Sequence, residues 1–298
     1  MTRAGAGVQQ RAQSKPQEPV ADRAADGSWL SMPDGQRLFL HDWPVEDSRE
    51  SLLIVHGLGE HGARYRDVAQ WFNQRGYSVR SYDQRGHGRS PGQRGAIRHS
   101  DDLLSDLTMV YRDYESRAST APLLLGHSMG GLVALRAVLD ERIAPQGLVL
   151  SSPALRSWEA DGMIRLAWLL AHVAPRLPLR NGLPYKYLSH DIALVESYRN
   201  DPLRTAMITP RLANFIFSAG ASCIADAHRL AVPTMLLVAD SDHLVDPGGS
   251  RDFARAAAST EQLTTRFFST LYHELFNESE PGRGQVRMQL ADWMAKRL

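Results

Sequence analysis

The stretch Leu123-Leu-Leu-Gly-His-Ser-Met-Gly-Gly131 decides the fold, because an apolar run leads directly into a Gly-x-Ser-x-Gly pattern. Three consecutive leucines predict a short strand that is buried on both faces, and the residues from Gly130 to Leu139 have helical spacing. A serine between glycines at a strand-to-helix turn is typical of a nucleophile elbow, which lifts the hydroxyl group above the carboxyl edge of a sheet. Ser128 is therefore the candidate nucleophile, and a plain turn with a capping serine is the alternative.

Apolar runs alternate with helical patterns on both sides of this motif. Two strands are predicted around the Pro33-Asp-Gly35 turn, and further strands at 52–55, 77–82, 123–125, 147–150, 234–239 and 265–268. Helices are predicted near 65–75, 103–114, 130–139, 214–228, 249–258 and 285–296. This alternation predicts an α/β fold in which helices flank a mostly parallel central sheet.

The alternation stops between residues 156 and 214, where prolines recur and no strand is predicted. We interpret residues 156–214 as a helical cap inserted after the sixth strand, and residues 26–155 and 215–298 as the core. Residues 1–25 contain few aliphatic side chains, so they cannot bury enough apolar surface to offset the entropy of ordering. We expect a disordered tail there.

Composition excludes several classes of protein. The chain has 298 residues and 43% hydrophobic residues, which rules out a disordered or collagen-like protein. Its net charge of +1 provides no field to attract nucleic acid. The single cysteine, Cys223, excludes an internal disulfide, and no stretch approaches the roughly 18 apolar residues of a membrane span. These features favour a cytoplasmic location.

A serine nucleophile needs a base that is held by an acid, in the chain order serine, acid, histidine for this kind of elbow. The strand at 234–239 is followed by three aspartates, Asp240, Asp242 and Asp246. Asp242 lies in the middle of the loop and is favoured. Asp240 is almost on the strand, and Asp246 is placed to cap the next helix.

The base should follow the last strand, and His273 is the only histidine after residue 243. His243 adjoins the favoured acid and is too close in sequence to donate a hydrogen bond to it in the expected geometry. The oxyanion of the reaction needs backbone N–H donors, one after the nucleophile and one in an early loop. Met129 and Leu58 are the candidates, because Leu58 lies in the loop His56-Gly-Leu-Gly59.

Several motifs together resemble the monoacylglycerol lipase and lysophospholipase group of α/β-hydrolases, from about residue 30 to the end of the chain. They are His56-Gly-Leu-Gly-Glu-His61 with Arg64-Tyr65, Asp83-Gln-Arg-Gly-His-Gly-Arg-Ser90, Gly126-His-Ser-Met-Gly-Gly131, Tyr198-Arg-Asn-Asp-Pro-Leu203, Ser241-Asp-His-Leu-Val-Asp246 and Tyr272-His273. The chain departs from the group in having Ala239 where a glycine usually precedes the acid, and an additional Asp240. We expect Asp83–Ser90 to be a structural turn.

The resemblance implies the α/β-hydrolase fold, a triad of Ser128, Asp242 and His273, and oxyanion donors at Leu58 and Met129. It also places four side chains in a polar pocket for the glycerol end of a substrate: Glu60, Arg64, His127 and Tyr198. An ion pair between Arg64 and Glu60 is the alternative for those two. The cap would bind the acyl chain and make transient contact with lipid aggregates or a membrane surface. No metal or cofactor is expected.

The implied function is a serine carboxylester hydrolase that cleaves monoacylglycerol to glycerol and fatty acid. Lysophospholipase or general carboxylesterase activity is the nearest alternative. A peptidase resembling proline aminopeptidases is less favoured, since the cap acids are scattered along the sequence. A non-catalytic ligand-binding protein on the same fold is the least favoured. The oligomeric state is left open.

Overall fold

The motif at 123–131 lies at the centre of an eight-stranded sheet. A computed structural model describes residues 27–298, and the tail expected at 1–25 lies outside this range. The strands of the sheet, in chain order, are β1 (Ser28–Ser31), β2 (Arg37–Trp43), β3 (Glu50–Val55), β4 (Tyr77–Asp83), β5 (Leu123–His127), β6 (Leu148–Ser151), β9 (Thr234–Ala239) and β10 (Leu263–Phe268).

The spatial order of the strands is β1-β2-β4-β3-β5-β6-β9-β10. The pairings β1–β2 and β2–β4 are antiparallel, and every other pairing in this sheet is parallel. The carboxyl ends of β3, β5, β9 and β10 therefore point to one edge, where the predicted site residues follow. The mostly parallel sheet of an α/β-hydrolase is confirmed.

Both faces of the sheet are covered, which explains why its central strands are continuous apolar runs. In β3, Leu53 and Val55 belong to one apolar cluster, with residues of helices α2 (Asp102–Glu115), α3 (Met129–Leu139), α6 (Pro210–Ala225) and α7 (Pro247–Ala256). Leu52 and Ile54 belong to the other, with residues of α1 (Arg66–Asn73) and α8 (Gly282–Arg297). Successive residues of a strand point to opposite faces, so a single run supplies both clusters.

The segment between β6 and α6 is not purely helical, so the expectation of no strand there was wrong. It contains α4 (Asp161–Val173), β7 (Leu179–Arg180), α5 (Ile192–Asn200) and β8 (Met207–Ile208), and β7 pairs with β8 antiparallel. Two-residue strands are too short to show an alternating pattern in sequence. The helix predicted from residue 214 begins at Pro210, where proline suits the first helical position.

This inserted segment is attached to the core at several loops. The Thr205 N–H donates to the Gly59 carbonyl over 2.9 Å, and the Glu274 N–H donates to the Leu188 carbonyl over 2.8 Å. The His61 Nε2 lies 2.8 Å from Asp201 Oδ2. The segment thus contacts the loops that follow β3 and β10 and covers the edge at which they meet.

Helix α4 packs against α6, but most of its surface is exposed. Its exposed apolar side chains include Met163, Leu166, Trp168, Leu169 and Val173. Ala171 is the buried residue of this helix. Within residues 27–298, no helix combines the length and the apolar character that crossing a bilayer requires.

Candidate active site

Ser128 sits on a strained turn between β5 and α3. Its φ of 53° and ψ of −120° lie in a region that side chains rarely adopt. The turn is held by close packing: a Cβ on Gly130 would lie 2.2 Å from the Val55 carbonyl oxygen, and one on Gly126 would lie 2.6 Å from Gly130. Only glycine fits at these two positions, which explains the Gly-x-Ser-x-Gly pattern.

Asp242 and His273 meet at the same edge of the sheet. The His273 Nδ1 lies 2.6 Å from Asp242 Oδ2, and both side chains are nearly fully buried. The other carboxylate oxygen of Asp242 accepts the N–H groups of Leu244 (2.7 Å) and Val245 (3.0 Å). These bonds fix the carboxylate, so it can hold one imidazole orientation and leave Nε2 free for a reacting group.

The two competing aspartates have other partners. Asp240 forms an ion pair with Arg251. Asp246 caps α7, with its Oδ1 accepting the Gly248 N–H over 2.8 Å. His243 stacks on Tyr187 with ring centroids 4.0 Å apart. Of the acid and base candidates, the structure therefore brings only Asp242 and His273 together within the described range.

The loop after β3 lies next to the elbow. A Cβ on Gly57 would lie 3.2 Å from the Ser128 Cβ, so the two backbones approach closely. Leu58 and Met129, the predicted oxyanion donors, line the same cavity as Ser128 and His273. The Gly57 N–H is already used, since it donates to Glu60 Oε1 over 2.5 Å. This leaves the Leu58 N–H as the candidate donor of the loop.

A buried polar cluster lies beside this loop. The Arg64 guanidinium donates to Glu60 Oε2 over 2.5 Å and to both oxygens of Glu274 over 2.8 and 2.9 Å. The Tyr65 hydroxyl donates to Glu60 Oε1 over 2.8 Å, and the guanidinium of Arg64 lies 4.6 Å from the ring centre of Tyr198. Glu60, Glu274 and Tyr198 line the cavity, whereas Arg64 lies behind the two glutamates. The ion pair considered for Arg64 and Glu60 is thus present.

Glu274 is a functional candidate that the sequence reasoning missed. Its position directly after His273 was the only signal, since Arg64 lies far away in sequence and no local pattern connects the two. In the fold, Glu274 forms the second half of the clamp around Arg64, and its Oε2 also accepts the Asn277 side-chain amide over 2.8 Å. One arginine between two carboxylates leaves a net negative charge beside the cavity.

The histidines next to Ser128 titrate differently. Burial, together with the charge of the neighbouring His273, lowers the pKa of His127 to about 4, so His127 is neutral near pH 7. Burial also lowers the pKa of His273, but the charge and hydrogen bond of Asp242, together with the charges of Glu274 and Glu60, raise it above the usual value. Their ring centroids are 4.7 Å apart. His127 therefore carries no charge beside Ser128 near pH 7, whereas Asp242 favours the protonated form of His273.

The cavity in front of Ser128 has a volume of about 570 Å³ and lies between the sheet edge and the inserted segment. His127, Tyr198, Asn181 and Glu60 form polar parts of its wall. Much of the remaining wall is apolar and comes from α4, α6 and the residues between them, namely Ile164, Leu183, Ile208, Ile216 and Phe217. A ligand with one polar end and a hydrocarbon chain fits this lining.

Comparison with known proteins agrees with this geometry. The model of the family described as serine aminopeptidase, S33, matches residues 46–280. The monoacylglycerol lipase of Mycolicibacterium smegmatis is 30% identical over 269 residues, which cover 89% of this chain and 95% of that protein. The monoglyceride lipase of Rattus norvegicus is 29% identical and covers 89% of each chain. The crystal structure of Paleococcus ferrophilus monoacylglycerol lipase superposes with a TM-score of 0.80 at 31% identity, covering 88% of this chain and 99% of that one.

Fold and site together define a carboxylic ester hydrolase with the α/β-hydrolase fold. More closely, the chain belongs to the family described as serine aminopeptidase, S33, within which it is similar to monoacylglycerol lipases.

Proposed function

We propose that this protein hydrolyses monoacylglycerols to glycerol and fatty acid through an acyl-enzyme on Ser128. The observation that carries the proposal is the 2.6 Å contact between Asp242 and His273 at a cavity that also exposes the strained Ser128. The relatives named as monoacylglycerol lipases support the choice of substrate.

In the proposed mechanism, His273 Nε2 takes the proton of the Ser128 hydroxyl while the oxygen attacks the ester carbonyl. Asp242 holds Nδ1 and stabilises the imidazolium. The Leu58 and Met129 N–H groups stabilise the oxyanion, a contribution of about 3–4 kcal/mol for each donor. His273 then protonates the departing glycerol oxygen. Water, activated by the same histidine, releases the fatty acid and restores Ser128.

The polar cluster beside the cavity is consistent with a glycerol headgroup as the polar end of the substrate. Hydroxyl groups need hydrogen-bond partners once they are removed from water, and Tyr198, His127 and Glu60 line the cavity. Arg64 would act by holding Glu60 and Glu274 rather than by touching substrate. The apolar part of the wall suits the acyl chain.

We assign the cap to residues 156–214, and we propose that its exposed apolar face on α4 makes transient contact with lipid aggregates or a membrane surface. The unpaired Cys223 is buried and fits a reducing compartment, which supports a cytoplasmic protein. The exposed apolar face of α4 supports a peripheral location at membranes.

Two other activities have specific observations behind them. The phospholipase YtpA of Bacillus subtilis is 29% identical over 243 residues, which supports lysophospholipid as the alternative substrate. The description of the family supports aminopeptidase activity. Against it, Glu60 and Glu274 at the cavity are already paired with Arg64, so neither is free to hold an α-amino group.

A fluorophosphonate probe tests the enzyme assignment, with Ser128→Ala as the matched control. We expect the wild-type protein to be labelled once per chain and the variant not at all. A folded wild-type protein that takes up no label would instead be a non-catalytic binding protein.

The substrate preference is tested by measuring kcat/KM for monoacylglycerol, lysophosphatidylcholine and an amino-acid naphthylamide. All three substrates are used over the same range of concentrations. We expect monoacylglycerol to lead, because the hydrogen-bonding groups of Glu60, His127 and Tyr198 at the cavity suit the hydroxyls of glycerol. A higher kcat/KM for the phospholipid would make lysophospholipase the function.

A further inference from the structure

The loop that carries His273 contains a carboxylate that the proposed mechanism does not use. Glu278 is fully buried. Its oxygens accept the backbone N–H groups of Tyr272 (2.7 Å) and Ser279 (3.1 Å). These hydrogen bonds hold the pKa of Glu278 below its usual value although burial alone would raise it. A buried carboxylate in this state is fixed by the groups that donate to it, and it fixes them in turn.

The remaining donors of Glu278 come from the inserted segment. The His190 backbone N–H and ring Nδ1 lie 3.0 and 2.9 Å from its two oxygens. The His190 ring also stacks on Tyr272, with centroids 3.7 Å apart and an interplanar angle of 18°. Beside it, the Ser189 hydroxyl donates to the Asn277 carbonyl over 2.9 Å. The segment and the loop are therefore joined by the Glu278 carboxylate, by the ring stack and by the Ser189–Asn277 hydrogen bond.

Both neighbours of His273 are tied to this same stretch of the inserted segment. Tyr272 is held through Glu278 and His190, and the Glu274 N–H donates to the Leu188 carbonyl over 2.8 Å. Asp242 fixes only the Nδ1 side of the imidazole. The position of the His273 ring also depends on the backbone of Tyr272 and Glu274 on either side of it. That backbone is anchored to residues 188–190.

We propose that Glu278 and His190 are positioning residues that set the place of the His273 imidazole by bonding the inserted segment to its loop. The proposal rests on the ester hydrolysis proposed above. Proton transfer from Ser128 requires the imidazole at hydrogen-bond distance, and a displacement of about 1 Å can reduce the rate by as much as 10²-fold. Weakening the hydrogen bonds between Glu278 and His190 should therefore slow the chemical step without removing any group that touches substrate.

The test compares three variants and one control variant of the full chain on a soluble ester, p-nitrophenyl butyrate. Glu278→Gln keeps the shape of the side chain but presents an amide N–H₂ group to backbone donors. His190→Phe keeps the ring stack and removes the Nδ1 donor, and His190→Gln returns a donor. Glu280→Gln is the matched control, since Glu280 lies two residues away, is exposed and pairs with Arg283 on the surface. The kcat is expressed per active site, counted with a fluorophosphonate probe.

We expect kcat per active site to fall about tenfold in Glu278→Gln and about threefold in His190→Phe, with KM within twofold of wild type. The rate of fluorophosphonate labelling should fall in parallel, and His190→Gln should recover most of the loss. Glu280→Gln should match wild type.

An unchanged kcat per active site in Glu278→Gln, accompanied only by a lower Tm, would overturn the proposal, because it would make the carboxylate purely structural. If Glu278→Gln does not fold, His190→Phe decides, since its side chain is 43% exposed; a kcat equal to wild type there would also overturn it. Failure of the proposed function is a separate result, in which the wild-type protein itself does not turn over the ester.

Discussion

The elbow at Ser128 and helix α4 face the same cavity, but their surroundings are opposite. At the elbow, Gly126 and Gly130 have backbone atoms of neighbouring elements against them, and every residue of α3 is buried. On α4, Trp168 is 56% exposed, and a Cβ on Gly162 would meet open space, with no neighbouring atom within 4 Å. The elbow has no space for a larger side chain, whereas α4 has apolar surface that nothing in the described chain covers.

The difference teaches which property each region controls. A closely packed turn fixes distances between reacting atoms, so a change there affects every substrate alike. An exposed apolar face gains free energy only when something covers it, so a change there affects only substrates presented in a lipid surface. The following predictions test this division, beginning with the largest effect.

Replacing Asp242 with Asn should reduce kcat by about 10³–10⁴-fold on any ester, because the amide cannot hold the imidazole in the required tautomer. Asp240→Asn is the matched control on the same loop and should stay within about twofold, since Asp240 pairs with Arg251 instead. Steady-state kinetics on a soluble ester measure both. The reverse ranking would show that Asp240 is the acid.

Gly130→Ala should destabilise the protein by about 2–3 kcal/mol and slow hydrolysis of all esters, because the new methyl group would lie 2.2 Å from the Val55 carbonyl oxygen. Gly162→Ala, in the open surroundings of α4, should stabilise by about 0.5–1 kcal/mol through helix propensity. Urea unfolding monitored by circular dichroism measures both changes. Equal effects of the two substitutions would contradict the contrast in packing.

The pH dependence of kcat/KM should show an acid limb with its midpoint above pH 6.5. Burial lowers the pKa of His273, but Asp242, Glu274 and Glu60 together raise it above its usual value. The base must be neutral to take a proton, so activity is present above this pKa and falls about tenfold for each pH unit below it. A profile from pH 5 to 9 on a soluble ester measures it.

Glu274→Gln removes one of the charges that raise the pKa of His273, so its acid limb should move to lower pH. An acid limb in the wild-type protein centred well below pH 6 would mean that burial outweighs the carboxylates around His273.

The smallest effect is expected on α4. A double variant in which Ser replaces both Trp168 and Leu169 should hydrolyse long-chain monoacylglycerol in vesicles about five- to tenfold more slowly. This loss corresponds to about 1–1.4 kcal/mol of apolar contact with the lipid surface. Hydrolysis of a soluble short-chain ester should stay within about twofold. Met288→Ser is the control, because Met288 is 55% exposed on α8, outside the inserted segment. Equal losses on both substrates would show that α4 shapes the site itself.

Much of the fold was predictable because its signals are local. Apolar runs such as Leu52–Val55 and glycine punctuation at the elbow depend on residues next to each other in the chain. The start of α6 was predicted four residues too late, although Thr209 at the capping position and Pro210 at the first helical position are a helix-start signal. The pair β7–β8 left no pattern, since its two strands are only two residues each.

The sequence by itself determined the candidate triad, because the order of nucleophile, acid and base after three strands is a property of the chain. It did not determine which side chains surround that triad. The clamp of Arg64 by Glu60 and Glu274, and the bond between Glu278 and His190, join residues from distant parts of the chain. Such contacts exist only after the parallel strands have brought their loops to one edge and the inserted segment has closed over it. Hydrogen bonds and ion pairs depend on distance in space, and no spacing along the chain encodes that distance.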